Sequence, residues 1–271
     1  MENNLINYKF SSQNFIFQVK KDAISGITNF KKHIHPCYEI MFFDDGEVEF
    51  AIEDRVYVAK KGDVLLIKPC KYHCGKRVNL SPYSRFCLIL SPEIAFSSAL
   101  VEKIFLKGEK ISLGENSLAF RLIRTIYERL SDSEEYADEF SKGIIDAILI
   151  SLENSNPETN VRKAECESTS QKVINFVNMH INSINSVEDI SRALFLSRSY
   201  IMHIFKAEFK MGVMQYVRNK KLLMAHMEIS KGKKPTEVYQ ECGFSNYPTF
   251  YRAYLAYFGA SPKNARDIKL D

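Results

Sequence analysis

Phe250, Tyr254 and Phe258 recur every four residues after the run Gly243-Phe244-Ser245-Asn246, and Gly259 follows at once. That spacing predicts a helix with one buried face. Ser245 or Asn246 can cap the orphan amides at its start, and Pro248 sits where a missing N–H costs little. Gly259 permits the left-handed residue that ends many helices, with Pro262 beyond it. Pro235 to Cys242 reads as a short helix just before the glycine turn. Two short helices joined through such a turn predict a helix-turn-helix.

The same grammar occurs about fifty residues earlier, as an internal repeat. Ser186 is placed to cap a helix through Val187 and Ile190, Leu194 and Leu196 fall at its end, and Ser197 starts a second helix through Ile201, Phe205 and Phe209. Between the copies, Val213 to Ile229 is amphipathic, and its Tyr216, Val217, Leu222, Ala225 and Ile229 can pack against both. The units are expected at residues 186–210 and 235–259, inside a helical domain of residues 169–271. This pair on one connecting helix, with its GF…F…R…FG…SP ending, resembles the C-terminal DNA-binding domain of the AraC/XylS family of bacterial transcription regulators. The sequence departs from the family pattern at Lys210, where glycine is usual, at Lys221 for arginine, at Tyr239 for a small residue, at Pro248 and Thr249 for serine-tyrosine, and at Ala265 for tyrosine.

The resemblance implies double-stranded DNA as a partner. It assigns groove or phosphate contacts to Ser199, Met202, His203 and Lys206 in the first unit, and to Asn246, Tyr247, Pro248, Tyr251 and Arg252 in the second. Arginine to guanine is the commonest specific contact, so Arg252 is the strongest of these, against an ion pair with Glu241 or a bare phosphate contact. Charge agrees independently. Residues 169–271 carry 15 Lys+Arg against 8 Asp+Glu, a net of +7, while the remainder is at −3. A basic half beside a mildly acidic one suits a partner that is a polyphosphate.

Residues 1–95 change period. Tyr38 to Phe43, Glu47 to Ile52, Val56 to Ala59, Val64 to Lys68 and Arg85 to Leu90 are short β-branched or aromatic runs, punctuated by Asp45-Gly46 and Lys61-Gly62. They predict a small antiparallel barrel or jelly roll. His33-Ile34-His35, with Glu39 four residues on and Gly46 seven further, looks like the first motif of cupins; Gly62-Asp63, Pro69 and His73 look like the second. The fold class expected is therefore α+β and multidomain: a cupin-like barrel with helices, then an all-α double helix-turn-helix domain. Residues 96–154 return to helical spacing, with one stripe at Ala119, Leu122, Ile123, Ile126 and Leu130. A second runs through Phe140, Ile144, Ile148 and Leu152, joined by Ile145 and Leu149. These helices either pack on their own domain or pair two subunits. Residues 155–168 read as the linker.

AraC-type regulators place such a barrel as an effector pocket, and the resemblance assigns that role to His33, His35, Tyr38, Glu39 and His73. No cofactor is required by this reading, although His33, His35, Glu39 and His73 are also the residue types that hold a divalent metal. In enzymatic cupins such a set supports oxygenases and isomerases; a metal-dependent cupin enzyme, or a barrel that only dimerises, are the alternatives. The reading preferred is a regulator without catalytic residues, sensing a sugar or related metabolite, acting as a homodimer with RNA polymerase as a further partner. Met1-Glu2-Asn3-Asn4 shows no signal-peptide pattern, and no apolar run reaches membrane-spanning length, so a cytoplasmic location without membrane partner is expected. The six cysteines (37, 70, 74, 87, 166 and 242) are irregularly spaced in a long chain, which fits free thiols.

Overall fold

A computed structural model of the 271-residue chain describes residues 5–11, 15–22, 33–53, 55–79, 81–91, 98–132, 137–156 and 169–267. Most of the expected linker, residues 157–168, and Cys166 lie outside the described residues. The chain divides into two compact units, Met1–His33 with Cys37–Arg162 and Ile34–Pro36 with Lys163–Asp271.

In the first unit, β1 (Leu5–Ser11), β2 (Phe15–Asp22), β3 (Tyr38–Asp45), β4 (Glu47–Ile52), β5 (Arg55–Lys60), β6 (Asp63–Ile67), β7 (His73–Arg77) and β8 (Tyr83–Leu90) precede three helices. The helices are α1 (Ser98–Lys107), α2 (Leu118–Asp132) and α3 (Ala137–Glu153), with the short β9 (Lys110–Ser112) after α1. Among the described residues, β1-β2-β8-β3-β6-β9 form one antiparallel sheet and β5-β4-β7 a smaller one. The five predicted runs became β3, β4, β5, β6 and β8. The turn at Asp45-Gly46 needs its glycine: φ is +83° and a Cβ would stand 2.6 Å from the Pro82 carbonyl oxygen.

Alternation along the large sheet creates two cores. Phe17, Val19, Ile40, Phe42, Phe86 and Leu88 point to the helices, where they meet Ile104, Phe120, Ile123, Ile126, Ile148 and Leu149. Met41, Phe43, Leu65, Ile67, Tyr83 and Cys87 point the other way, to Val48, Phe50, Ile52, Tyr57 and Ala59 of the small sheet. The helices after the barrel thus share a core with its larger sheet. The α3 stripe is displaced from the expected one. Ile145, Ile148, Leu149 and Leu152 are fully buried, whereas Phe140 is 36% exposed and Ile144 packs at the margin. A strict i+4 row drifts by about 40° per step around a helix of 3.6 residues per turn, so its far end leaves the buried face.

The second unit is helical: α4 (Thr169–Met179), α5 (Val187–Leu194), α6 (Arg198–Phe209), α7 (Val213–Ser230), α8 (Pro235–Glu241) and α9 (Tyr247–Phe258), ending in a 3-10 turn at Pro262–Asp267. No helix among the described residues is long and apolar enough to cross a membrane. The face assignment on α3 is checked by thermal unfolding: Ile148→Ala is expected to cost about 2–5 kcal/mol and Ile150→Ala, at a site 54% exposed, within about 0.5 kcal/mol of none.

Candidate nucleic-acid interface and barrel ligand cluster

Each helix-turn-helix is fixed by its caps. Asp189 accepts from the amides of Asn185 and Ser186, both at 2.9 Å, which anchors the start of α5. Ser197 Oγ accepts from the Tyr200 amide at 3.2 Å, and Asn246 Oδ1 from the Thr249 amide at 2.9 Å, so α6 and α9 begin where the sequence indicates. Between the two open cap positions at α9, the structure selects Asn246. Helix α9 ends at Gly259 with φ +71°, and α6 at Lys210 with φ +56°, the same left-handed conformation without a glycine.

On α6, Ile201, Phe205 and Phe209 are buried, while Ser199, Met202, His203 and Lys206 are exposed. On α9, Phe250 and Tyr254 are buried and Pro248, Tyr251 and Arg252 exposed. Two of the predicted second-unit residues are partly committed elsewhere. The Asn246 side chain is the cap, and the half-buried Tyr247 ring sits 5.7 Å from that of Tyr239 and 5.9 Å from that of Phe250. Tyr239, where the family usually has a small residue, thereby fills the space between α8 and α9. Arg252 forms no ion pair among the described residues: Glu241 is held by Lys233 at 3.0 Å.

Two lysines on α7 are buried, Lys220 and Lys221, the second at the position where the family usually has arginine. Lys221 Nζ donates to the carbonyls of Ile184 at 2.8 Å and Gly243 at 2.9 Å, joining the loop before α5 to the turn before α9. Lys220 donates to Asn178 Oδ1. Gly243 must be glycine, since φ is +73° and a Cβ would fall 2.0 Å from the Asn182 carbonyl oxygen. On the same helix, His226 Nδ1 lies 2.7 Å from the Tyr254 hydroxyl, and its ring stacks on Phe258 at 4.7 Å.

Of the cupin-like motif residues, Glu39 lies on β3 and His73 on β7, while His33 and His35 come from the segment just before β3. His33 is bridged to His73 by backbone hydrogen bonds of 3.1 and 3.0 Å, and their rings stand 4.1 Å apart. His73 is fully buried; its Nδ1 contacts the Lys71 carbonyl at 2.8 Å, which directs Nε2 toward Glu39 Oε2 at 3.1 Å. The ligand atoms of His33, His35, Glu39 and His73 all lie within 4.8 Å of one another. Ligands about 2.0–2.2 Å from a shared ion stand at most about 4.4 Å apart, so the set fits a divalent metal after a shift of a few tenths of an ångström. The Nδ1 contact is the kind that orients a metal-binding imidazole. Tyr38, half-buried, faces elsewhere, with its ring 4.8 Å from Phe105 in the helix-side core. Behind Glu39, burial pushes the Cys87 thiol up to about 12, so it stays protonated.

Residues 27–152 match the AraC-like ligand binding domain, and residues 190–268 a helix-turn-helix domain. The chain belongs to the AraC family of transcription regulators. It is a DNA-binding regulator with an N-terminal ligand-binding domain. The Msm operon regulatory protein of Streptococcus mutans is 24% identical over 245 residues, 88% of this chain and 87% of that protein. The probable transcriptional regulator LumQ of Photobacterium leiognathi is 34% identical over 89 residues, 32% of this chain and 36% of LumQ, so that match spans about a third of the relative. A crystal structure of apo ToxT from Vibrio cholerae covers 96% of this chain and 99% of its own, at 14% identity and a TM-score of 0.41.

His226 makes the stability of this AraC-family DNA-binding domain sensitive to acid. Burial lowers its pKa from 6.5 to about 4. The unfolded chain therefore binds the proton first, and stability is lost as pH falls from about 6.5 to about 4. The loss attributable to this group is on the order of 3 kcal/mol. Denaturant unfolding of the wild type and of His226→Gln across that range checks it: the variant should show a flatter dependence on pH.

Proposed function

We propose that this chain reads a specific DNA sequence through α6 and α9, and that a small ligand bound at His33, His35, Glu39 and His73 alters that binding. The observation that carries the DNA half is the pair of exposed polar faces on capped helices joined by the one helix α7. Of the side chains there, His203 and Arg252 have the chemistry of base readers, with Ser199, Met202, Lys206 and Tyr251 beside them. The working unit is a homodimer in the cytoplasm, acting with RNA polymerase. Exposed Phe140 and Ile150 on α3 support subunit pairing.

Binding to the chain's own upstream DNA is expected to weaken with salt at a log–log slope of roughly −0.9 per phosphate neutralised. His203→Ala and Arg252→Ala should each lower discrimination between cognate and scrambled sites by about 1–3 kcal/mol without lowering the melting temperature. Equal losses on every sequence would make them phosphate contacts instead.

The effector half has a specific reading in the quartet, whose three imidazoles and one carboxylate would hold Zn, Fe, Mn or Ni. Such a metal would supply a charged anchor for an oxygen-bearing ligand such as a sugar or related metabolite. Elemental analysis of the purified protein is expected to find about one transition metal per chain, and His35→Ala/Glu39→Ala to lose it. Thermal shifts with sugars and divalent metals on both proteins locate the ligand. A shift that survives the double substitution removes the quartet from the site.

A further inference from the structure

Helices α6 and α9 are the same length, 12 residues each, and their ends fix how they correspond. Ser197 Oγ accepts from the Tyr200 amide as Asn246 Oδ1 does from the Thr249 amide, and Lys210 and Gly259 both close their helix in the left-handed conformation. In that register the buried Ile201 falls on Phe250 and Phe205 on Tyr254. The exposed positions then correspond as well: Ser199 with Pro248, Met202 with Tyr251, His203 with Arg252 and Lys206 with Leu255.

An apolar side chain standing alone in solvent is ordinary on a protein surface. Here one recurs at the same place in both helices, Met202 at 48% exposure and Tyr251 at 36%, and each is followed by a donor, His203 or Arg252. Leu255, one turn beyond Tyr251, extends the row on α9. The Tyr251 ring is braced by that of Tyr247 at 6.1 Å, so it loses little freedom when covered. Met202 is unbranched and polarizable, suited to an irregular apolar surface.

The net charge of +7 over residues 169–271 fits these faces to DNA, and the major groove displays one apolar group, the 5-methyl of thymine. Neither face carries an Asn or Gln to read adenine, and Asn246 beside them is committed to its cap. An A·T pair is then distinguished by its methyl rather than by an amide on adenine. We propose that Met202 and Tyr251 are specificity-determining residues that contact thymine 5-methyl groups, with His203 and Arg252 on the neighbouring base or phosphate. The inference rests on the reading of DNA through α6 and α9, and it names the bases selected.

Duplexes enriched by the full chain from a random pool supply its preferred site. Replacing each thymine of that site singly by deoxyuridine removes the methyl and leaves the pairing and the O4 acceptor in place. At least two replacements should each weaken binding about fourfold, the worth of one buried methyl. Met202→Ala should weaken binding to the thymine duplex and erase the penalty at one of these positions, and Tyr251→Ala at another, while Tyr251→Phe keeps its own. Both sites are exposed, so the melting temperature should stay near that of the wild type. A preferred site without thymine, or one bound equally well with uracil throughout, overturns the proposal and leaves the DNA-reading conclusion standing. A penalty that survives both alanine substitutions does the same. A Tyr251→Phe protein that binds as weakly as Tyr251→Ala would make that residue a hydroxyl contact, and an alanine variant that melts far lower would mark a packing residue; either overturns the assignment. Enrichment of no sequence over the pool removes both this proposal and the DNA-reading conclusion.

Discussion

The Lys221 ammonium between the carbonyls of Ile184 and Gly243 is the contact on which the geometry of the DNA-binding unit depends. It ties the loop leading into the first helix-turn-helix to the turn inside the second, through the helix that joins them. Burying an ammonium is expensive, and burial depresses its pKa here, but two charge-assisted hydrogen bonds at normal length offset that cost. The alternative, two buried carbonyls with no donor, costs about 1–3 kcal/mol each. Gly243 adds a steric condition: its carbonyl reaches Lys221 only in a turn that lets Asn182 approach where a Cβ would be. An arginine, usual at this place in the family, spreads its donors over a planar fork, whereas lysine reaches both carbonyls with a single nitrogen.

In the first unit the corresponding constraint is the alternation of the large sheet. Strands β3 and β8 bury both faces, one against helices and one against the small sheet, which is why both read as nearly continuous apolar runs. A strand with no solvent face must place any polar residue inside, and Glu39 and Arg85 are such residues. Their burial carries a desolvation cost that Leu or Val at the same positions would not.

How much of this could be read from the sequence follows from where local signals dominate. Caps, glycine stops and fourfold spacing are local, and they located α5, α6, α8 and α9. Strand β7 was missed because its buried positions are His73, Gly75 and Arg77, a pattern with no apolar alternation. Strands β1 and β2 were passed over although Phe15, Phe17 and Val19 alternate; β9 has three residues and exists by pairing with β6. The sequence shows Lys221 only as a departure from the family's arginine, and its structural role is not legible there because its partners are 37 and 22 residues away. The quartet was legible because cupin-like spacing fixes His33, His35 and Glu39 locally, although its closure by His73 depends on a bridge between distant segments.

The two units also differ in what rigidity can do for them. Two helix-turn-helix units held on one rigid connector would meet DNA as one body, so a second contact would be gained without a second loss of translational and rotational freedom. That advantage exists only while the connector keeps its geometry, which the Lys221 bonds to the Ile184 and Gly243 carbonyls help to hold. A ligand in the barrel works under another rule. It can change DNA binding only by the difference in its affinity for two states of the protein, and DNA must change ligand affinity by the same factor. A barrel packed on both faces of its main sheet has few soft coordinates through which such states can differ.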